Sequence, residues 1–234
     1  AIEALERSIS RDPAKADQLE IFQTLGRIYQ RSQKTEQALD LWKRFEAAFP
    51  DDERVQEQIA TTLIEENELP EALKRLEALQ QNATDPYRKV QFAIQAAELK
   101  LKLGQQEQAL ADFEEQLQQL KPSSWLFNDV RSKIEASFLR TDDYAGLVSY
   151  YEGWMTSHPD DLDAMARIGK YLAIQGRADA ARQWYEKAIA KGPSDAKLRL
   201  ALIEQLIADG KYAEAIKQYE QLVEFDPGNP DHIE

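Results

Sequence analysis

The chain has 234 residues, 43% of them hydrophobic and 30% charged, with nine glycines, nine prolines and no cysteine. This balance argues against a disordered or fibrous protein, and the missing cysteine excludes a disulfide framework, a cysteine-ligated zinc site and a thiol nucleophile. A net charge of −13 offers no basic footprint to nucleic acid or an anionic membrane, so neither is expected as a partner, and no apolar run reaches the ~20 residues of a membrane span.

Residues 1–15 read as the second helix of a helical pair, with Ile2, Leu5 and Ile9 on one stripe, so the chain is expected to be a piece of a longer protein. Residues 16–52 form a complete helix–turn–helix unit. Phe22, Leu25 and Tyr29 are spaced three and four apart on its first helix. Gly26 and Ala38 leave room for close helix approach, Trp42 fills the space beside them, and Pro50 ends the unit.

The plan recurs with variations. Residues 53–86 keep Ile59, Leu63, Ala72 and Leu76, with Ala60 in place of the glycine. Residues 87–123 hold Ala97, Gly104, Ala109, Phe113 and Pro122. Residues 124–161 are the poorest copy, with Glu135 at the small-residue site of the first helix, Leu147 at that of the second, and Tyr151 and Pro159 in place. Residues 162–195 carry Gly169, Gly176, Ala181, Tyr185, Ala188 and Pro193. Residues 196–229 carry Leu202, Gly210, Ala215, Tyr219, Leu222 and Pro227, and residues 230–234 begin a further unit.

Equivalent sites Ala1, Ala38, Ala72, Ala109, Leu147, Ala181 and Ala215 are 37, 34, 37, 38, 34 and 34 residues apart. The extra residues at 16–18, 87–89 and 124–127 are predicted to extend first helices by a turn, which keeps the apolar stripe in phase. Asp12, Ser123, Asp161 and Asp195 are placed to cap helix starts. No segment shows the period-two alternation of a strand with hairpin chemistry, so about thirteen helices and no sheet are predicted.

Phe22, Leu25, Gly26, Tyr29, Ala38, Trp42 and Pro50 match in spacing the pattern W-x2-L-G-x2-Y, A-x3-F, P, with Phe22 and Trp42 as aromatic exchanges. The chain therefore resembles the tetratricopeptide repeat family, and the phased recurrence extends that resemblance over nearly all of it. It implies an all-α, right-handed α-solenoid of helix–turn–helix repeats whose first helices line a concave, partner-binding face.

Catalytic chemistry is not expected. No glycine-rich phosphate loop occurs. His158 and His232 lie in proline-flanked connections and read as solvated loop residues. The acidic pairs Asp51-Asp52, Asp142-Asp143 and Asp160-Asp161 lie at helix junctions, where they favour helix N-termini. The glutamine-rich run 105–119 keeps Ala109, Phe113, Leu117 and Leu120 at helical spacing, so it reads as an amphipathic helix. No catalytic, metal or cofactor residues are assigned. Trp125 and Trp184 are the aromatics least determined by repeat packing and are the aromatic candidates for a partner contact.

With Leu25 facing inward, Glu20, Gln23, Arg27 and Gln30 fall about 140 to 220 degrees away on the first helix. The matching stripes are Arg54, Glu57, Thr61, Ile64; Gln91, Ile94, Glu98, Leu101; Asp129, Ser132, Ala136, Leu139; Asp163, Ala166, Lys170, Ala173; and Lys197, Leu200, Glu204, Ile207. By the resemblance they face the groove. Gln23, Arg27, Arg54, Glu57, Gln91, Ile94, Glu98, Ser132, Lys170, Lys197, Leu200 and Glu204 are the partner-binding candidates.

The stripe has six acids and four bases and no asparagine. The lysine–asparagine clamp that some tetratricopeptide co-chaperones use for a C-terminal carboxylate is therefore not expected. The functional expectation is a non-enzymatic scaffold binding a peptide segment or protein surface. The alternative is a regulatory or substrate-recruiting segment of a larger enzyme whose catalytic domain lies elsewhere. Apolar stripes on both terminal helices further predict end-to-end self-association.

Overall fold

A computed structural model of the chain describes residues 2–9, 15–49 and 52–225, and every regular element in them is helical. The helices are α1 (Ile2–Ile9), α2 (Lys15–Arg31), α3 (Thr35–Ala48), α4 (Glu53–Glu65), α5 (Leu69–Asn82), α6 (Pro86–Lys102) and α7 (Gln106–Gln119). They continue as α8 (Trp125–Leu139), α9 (Tyr144–Ser157), α10 (Leu162–Ile174), α11 (Ala178–Lys191), α12 (Ala196–Ala208) and α13 (Tyr212–Phe225). Asp12, Pro50, Asp51, Pro227 and His232 lie outside the described residues.

The fold is an all-α stack of tetratricopeptide-like helical pairs, in two compact units, Ala1–Ile134 and Glu135–Glu234. In the first, each helix from α1 to α7 packs on its sequence neighbours. In the second, α9 to α13 do the same, and α10 also touches α12. First helices α4, α10 and α12 have 13 residues, whereas α2 and α6 have 17 and α8 has 15.

The turns repeat one backbone solution. Gln33, Asn67, Gly104, Asp142, Gly176 and Gly210, at equivalent sites between first and second helices, all have positive φ. The next residue's N–H then reaches back to a carbonyl five residues earlier, as Lys34 to Tyr29 (2.9 Å), Glu68 to Leu63 (2.8 Å) and Arg177 to Leu172 (2.9 Å). This closure satisfies carbonyls that the helix end leaves free, and glycine adopts it without a Cβ penalty. Three turns pay that penalty with Gln, Asn and Asp.

Between units, acidic side chains start the next first helix. Asp52 accepts from the Arg54 N–H (3.0 Å), Asp85 from Tyr87 (2.9 Å), Asp161 from Ala164 (3.0 Å) and Asp195 from Lys197 (2.9 Å). At α8 the capping oxygen belongs to Ser124, which accepts from the Phe127 N–H at 3.2 Å, and not to Ser123 as the spacing had suggested. Pro122 comes one residue later than its equivalents, and the cap moves with it.

Within each pair, close packing explains the small-residue sites. A Cβ at Gly26 would overlap the buried Trp42 ring, and one at Gly169 would lie 2.8 Å from the Tyr185 ring. In the first unit Phe22 stacks on Phe45 with centroids 4.3 Å apart, beside Trp42. The poorest copy solves the same problem differently. Glu135, standing where Gly169 stands, accepts from the Tyr151 hydroxyl at 2.8 Å, so a hydrogen bond replaces the missing gap.

Candidate functional site

The candidate stripe is positioned by the opposite faces of the first helices, because Leu25, Ile59, Ile134, Ile168 and Leu202 turn into the core. Most of its members reach solvent. In the first unit Glu20, Arg27, Arg54, Thr61 and Ser132 are exposed, and Glu57, Ile64, Gln91, Glu98, Leu101 and Asp129 are half-buried. The side chains of Gln23 and Gln30 lie outside those described. Ile94 differs: it is only 5% exposed, packed into the core, and cannot offer a contact surface. Helix α6 buries a wider arc than its neighbours, with Phe92, Ala93, Ala96, Ala97 and Leu99 also inside.

In the second unit Ala136, Leu139, Asp163, Lys170, Lys197, Glu204 and Ile207 are exposed, and Ala166, Ala173 and Leu200 are half-buried. Except in α2, where it is Gln30, the last stripe site of the first helices is apolar: Ile64 and Leu101 in one unit, and Leu139, Ala173 and Ile207 in the other. Each face thus has an apolar edge at the helix C-terminal ends and a polar body.

Ion pairs between successive first helices occupy much of the polar body. Arg88 of α6 donates to Glu53 (2.9 Å) and Glu57 (2.6 Å) of α4. Lys133 of α8 bonds Glu98 of α6 at 2.5 Å. In the second unit Arg167 of α10 bonds Glu135 and also Asp163 (2.7 Å). The acid precedes its base by 31, 35 and 32 residues in these links. The Glu57 hydrogen bond raises the Arg88 pKa further, and the Arg54 hydrogen bond holds the Asp52 carboxyl below its ordinary range.

Reading the stripe from sequence missed this ladder, since Arg88, Lys133 and Arg167 lie just off it. The available signal was an acid on one first helix followed about one repeat later by a base. Among the described residues Lys170, Lys197 and Glu204 have no ion partner; Lys170 instead lies over the Tyr171 ring at 5.3 Å. Glu204 helps burial push the Tyr185 hydroxyl up to about 12.

Glu135 is the most enclosed of these charges, its side chain 12% exposed. Its carboxylate accepts from the hydroxyls of Tyr151 (2.8 Å) and Tyr171 (2.7 Å) as well as from Arg167. Burial raises the Tyr171 pKa well above the ordinary tyrosine value, and the bond to Glu135 adds to it.

Other singled-out residues also have definite places. His158 is half-buried, not a solvated loop residue: its ring stacks on Trp154 with centroids 3.8 Å apart, while the Trp154 indole N–H donates to Asp161 at 2.9 Å. Trp125 is 64% exposed and lies 6.4 Å from Tyr87, which is also exposed. Trp184 is half-buried beneath Lys187, whose ammonium is 4.4 Å from the ring centroid. Among the described residues no cluster of three or more histidines or carboxylates could hold a metal ion. No described helix is long and apolar enough to cross a membrane.

Two family models described as Tetratricopeptide repeat match the chain, at residues 143–196 and 172–232. Among solved structures, the chain is similar to the C-terminal part of a TPR repeat-containing protein from Cytophaga hutchinsonii, with 16% identity and a TM-score of 0.53 over 99% of this chain and 92% of that one. A tetratricopeptide repeat protein from Parabacteroides merdae matches at 16% identity and a TM-score of 0.51, over 100% of this chain and 88% of the other. These identities speak for the fold alone. No curated protein matches the chain significantly in sequence.

Proposed function

The chain belongs to the tetratricopeptide repeat family, and on that premise we propose that it is a non-enzymatic scaffold binding a protein or peptide segment on its first-helix faces. The observation that carries this reading is the exposed strip of α10 and α12, where Lys170, Lys197 and Glu204 form no ion pair among the described residues and stand beside half-buried Leu200 and exposed Ile207. An extended segment suits such a strip, since a polar body and an apolar edge together fix its orientation. Gln23, Arg27, Arg54, Glu57, Gln91, Glu98 and Ser132 form the corresponding candidate surface of the first unit.

The test is a variant with Arg27, Lys170 and Leu200 each replaced by alanine, set against partners recovered with the intact chain. Arg27 and Lys170 are exposed, and exposed substitutions commonly stay within ~0.5 kcal/mol in stability; half-buried Leu200 adds a small loss, so a melting temperature only slightly lowered with binding at least tenfold weaker is expected. A partner whose affinity ignores all three changes would move the site to another face. Self-association of the chain through an end is a second part of the reading, favoured by the exposed Tyr212 and Ile216 of α13.

A further inference from the structure

We propose that Tyr87 and Trp125 form a subsite for the arginine side chain of a partner segment lying on the first-unit face. This rests on the scaffold reading above and names the side chain that its first unit takes. Helices α6 and α8 run to 17 and 15 residues where α4 has 13, and Tyr87 and Trp125 stand in the added turns. Each lies four residues before the first stripe site of its helix, Gln91 or Asp129, so each falls on the stripe. The added turn thus lengthens the candidate surface by one site, and both helices fill that site with an aromatic ring. The two rings lie 6.4 Å apart and are tilted by 56°. Tyr87 is 46% exposed and Trp125 64%, and they are the exposed large hydrophobics of the first unit among the described residues.

Two observations select a cation as the occupant. The first is how the chain treats its other aromatics. Lys187 covers Trp184 at 4.4 Å, Arg88 covers Phe92 at 4.6 Å and Arg131 covers Phe127 at 4.7 Å. The negative face of an aromatic ring attracts a cation, and tryptophan does so most strongly. Among the described residues no lysine or arginine lies over Tyr87 or Trp125. The lysine over Trp184 comes three residues after it, whereas Asn128 and Asp129 stand three and four residues after Trp125. After Tyr87 the corresponding residues are Val90 and Gln91.

The second observation is the charge around the pair. Asp129 stands one turn from Trp125 with its side chain 42% exposed. Asp85 is exposed and accepts from the Tyr87 N–H at 2.9 Å. Neighbouring bases are held elsewhere: Arg88 by Glu53 and Glu57, and Lys133 by Glu98, reaching Asp129 only at 3.9 Å. Lys89 lies about 200 degrees around α6 from Tyr87, and Lys121 is the exposed base in the connection before α8. Two carboxylates therefore stand against one ammonium. A guanidinium lies flat on a ring while its N–H groups reach a carboxylate, a geometry that a lysine ammonium does not match. The net charge of −13 draws a basic segment toward the chain.

The experiment selects peptides from a displayed random library on the 234-residue chain and measures synthetic copies by calorimetry. Enrichment in arginine is expected. Trp125→Leu and Tyr87→Leu should each weaken binding about fivefold or more, with unchanged circular dichroism and melting, since both side chains reach solvent. Replacing the peptide's arginine by citrulline keeps its shape, removes its charge and leaves the protein untouched. That change should cost as much on the parent chain and little more on Trp125→Leu, because the two partners are coupled. Selected peptides without arginine, proline-rich ones included, would overturn the assignment. So would a citrulline peptide that binds as tightly, or a citrulline loss undiminished on Trp125→Leu. Peptides that ignore both aromatic variants but weaken on Lys170→Ala overturn this subsite and leave the scaffold reading standing. Selection of no peptide at all overturns the segment-binding reading together with the subsite.

Discussion

At Gly169 and Ala181 one side-chain atom decides whether two helices can approach. Gly169 presents its bare Cα to the Tyr185 ring, and Ala181 has no exposed surface. Gly169→Leu must displace that ring, and overpacking of this kind costs about 1–3 kcal/mol. Ala181→Glu buries a carboxylate with no partner provided, which costs at least as much. Both variants are expected to melt clearly below the parent in a thermal scan. Unchanged melting of both would remove the helical register assigned to this pair. Gly26 facing Trp42 shows that the same rule operates in the other unit.

An element can replace packing with hydrogen bonding when its residue departs from the pattern. Helix α8 does so through Glu135, which ties Tyr151 of α9 and both Arg167 and Tyr171 of α10 to its carboxylate. Restoring a small residue there is not expected to repair the copy. Glu135→Ala removes the acceptor that the Tyr151 and Tyr171 hydroxyls share, and a buried hydroxyl that loses its bond costs about 1–3 kcal/mol, while Arg167 keeps Asp163. Removing the hydroxyls as well, with Tyr151→Phe and Tyr171→Phe, should recover a large part of the loss. Equilibrium denaturation of the single, double and triple variants measures this coupling. Additive losses would mean that the carboxylate and the hydroxyls do not act as one group.

For the molecule as a whole, buried tyrosines set an alkaline limit. Burial, helped by Glu135, raises Tyr171, and burial, helped by Glu204, takes Tyr185 to about 12. In the unfolded chain a tyrosine releases its proton near pH ~10. The unfolded state therefore loses protons first as pH rises, so the stability from these tyrosines is whole below about 10 and falls steadily above it. Tyr29, raised chiefly by burial, acts in the same direction in the first unit. Loss of helical circular dichroism should accompany the rise of tyrosinate absorbance above that pH. Full tyrosine ionisation at the ordinary pKa with helix content intact would contradict it.

The amino-acid sequence determined the helical class, the positions of the pairs and the small-to-aromatic contacts, because these depend on local periodicity and on steric volume at fixed spacing. Gly26 with Trp42, Gly169 with Tyr185 and the turn at Gly176 could all be read this way. Only the tertiary structure decided which charges remain free. Glu57, Glu98 and Glu135 look like exposed groove acids or misfits in one dimension, yet each is bonded to a base 31 to 35 residues away. Ile94 lies on the polar stripe by angle and inside the core by packing, since α6 is covered over a wider arc. The reason is physical: a period along one helix determines which side a residue takes, whereas its exposure and its partners depend on how closely the neighbouring helices lie.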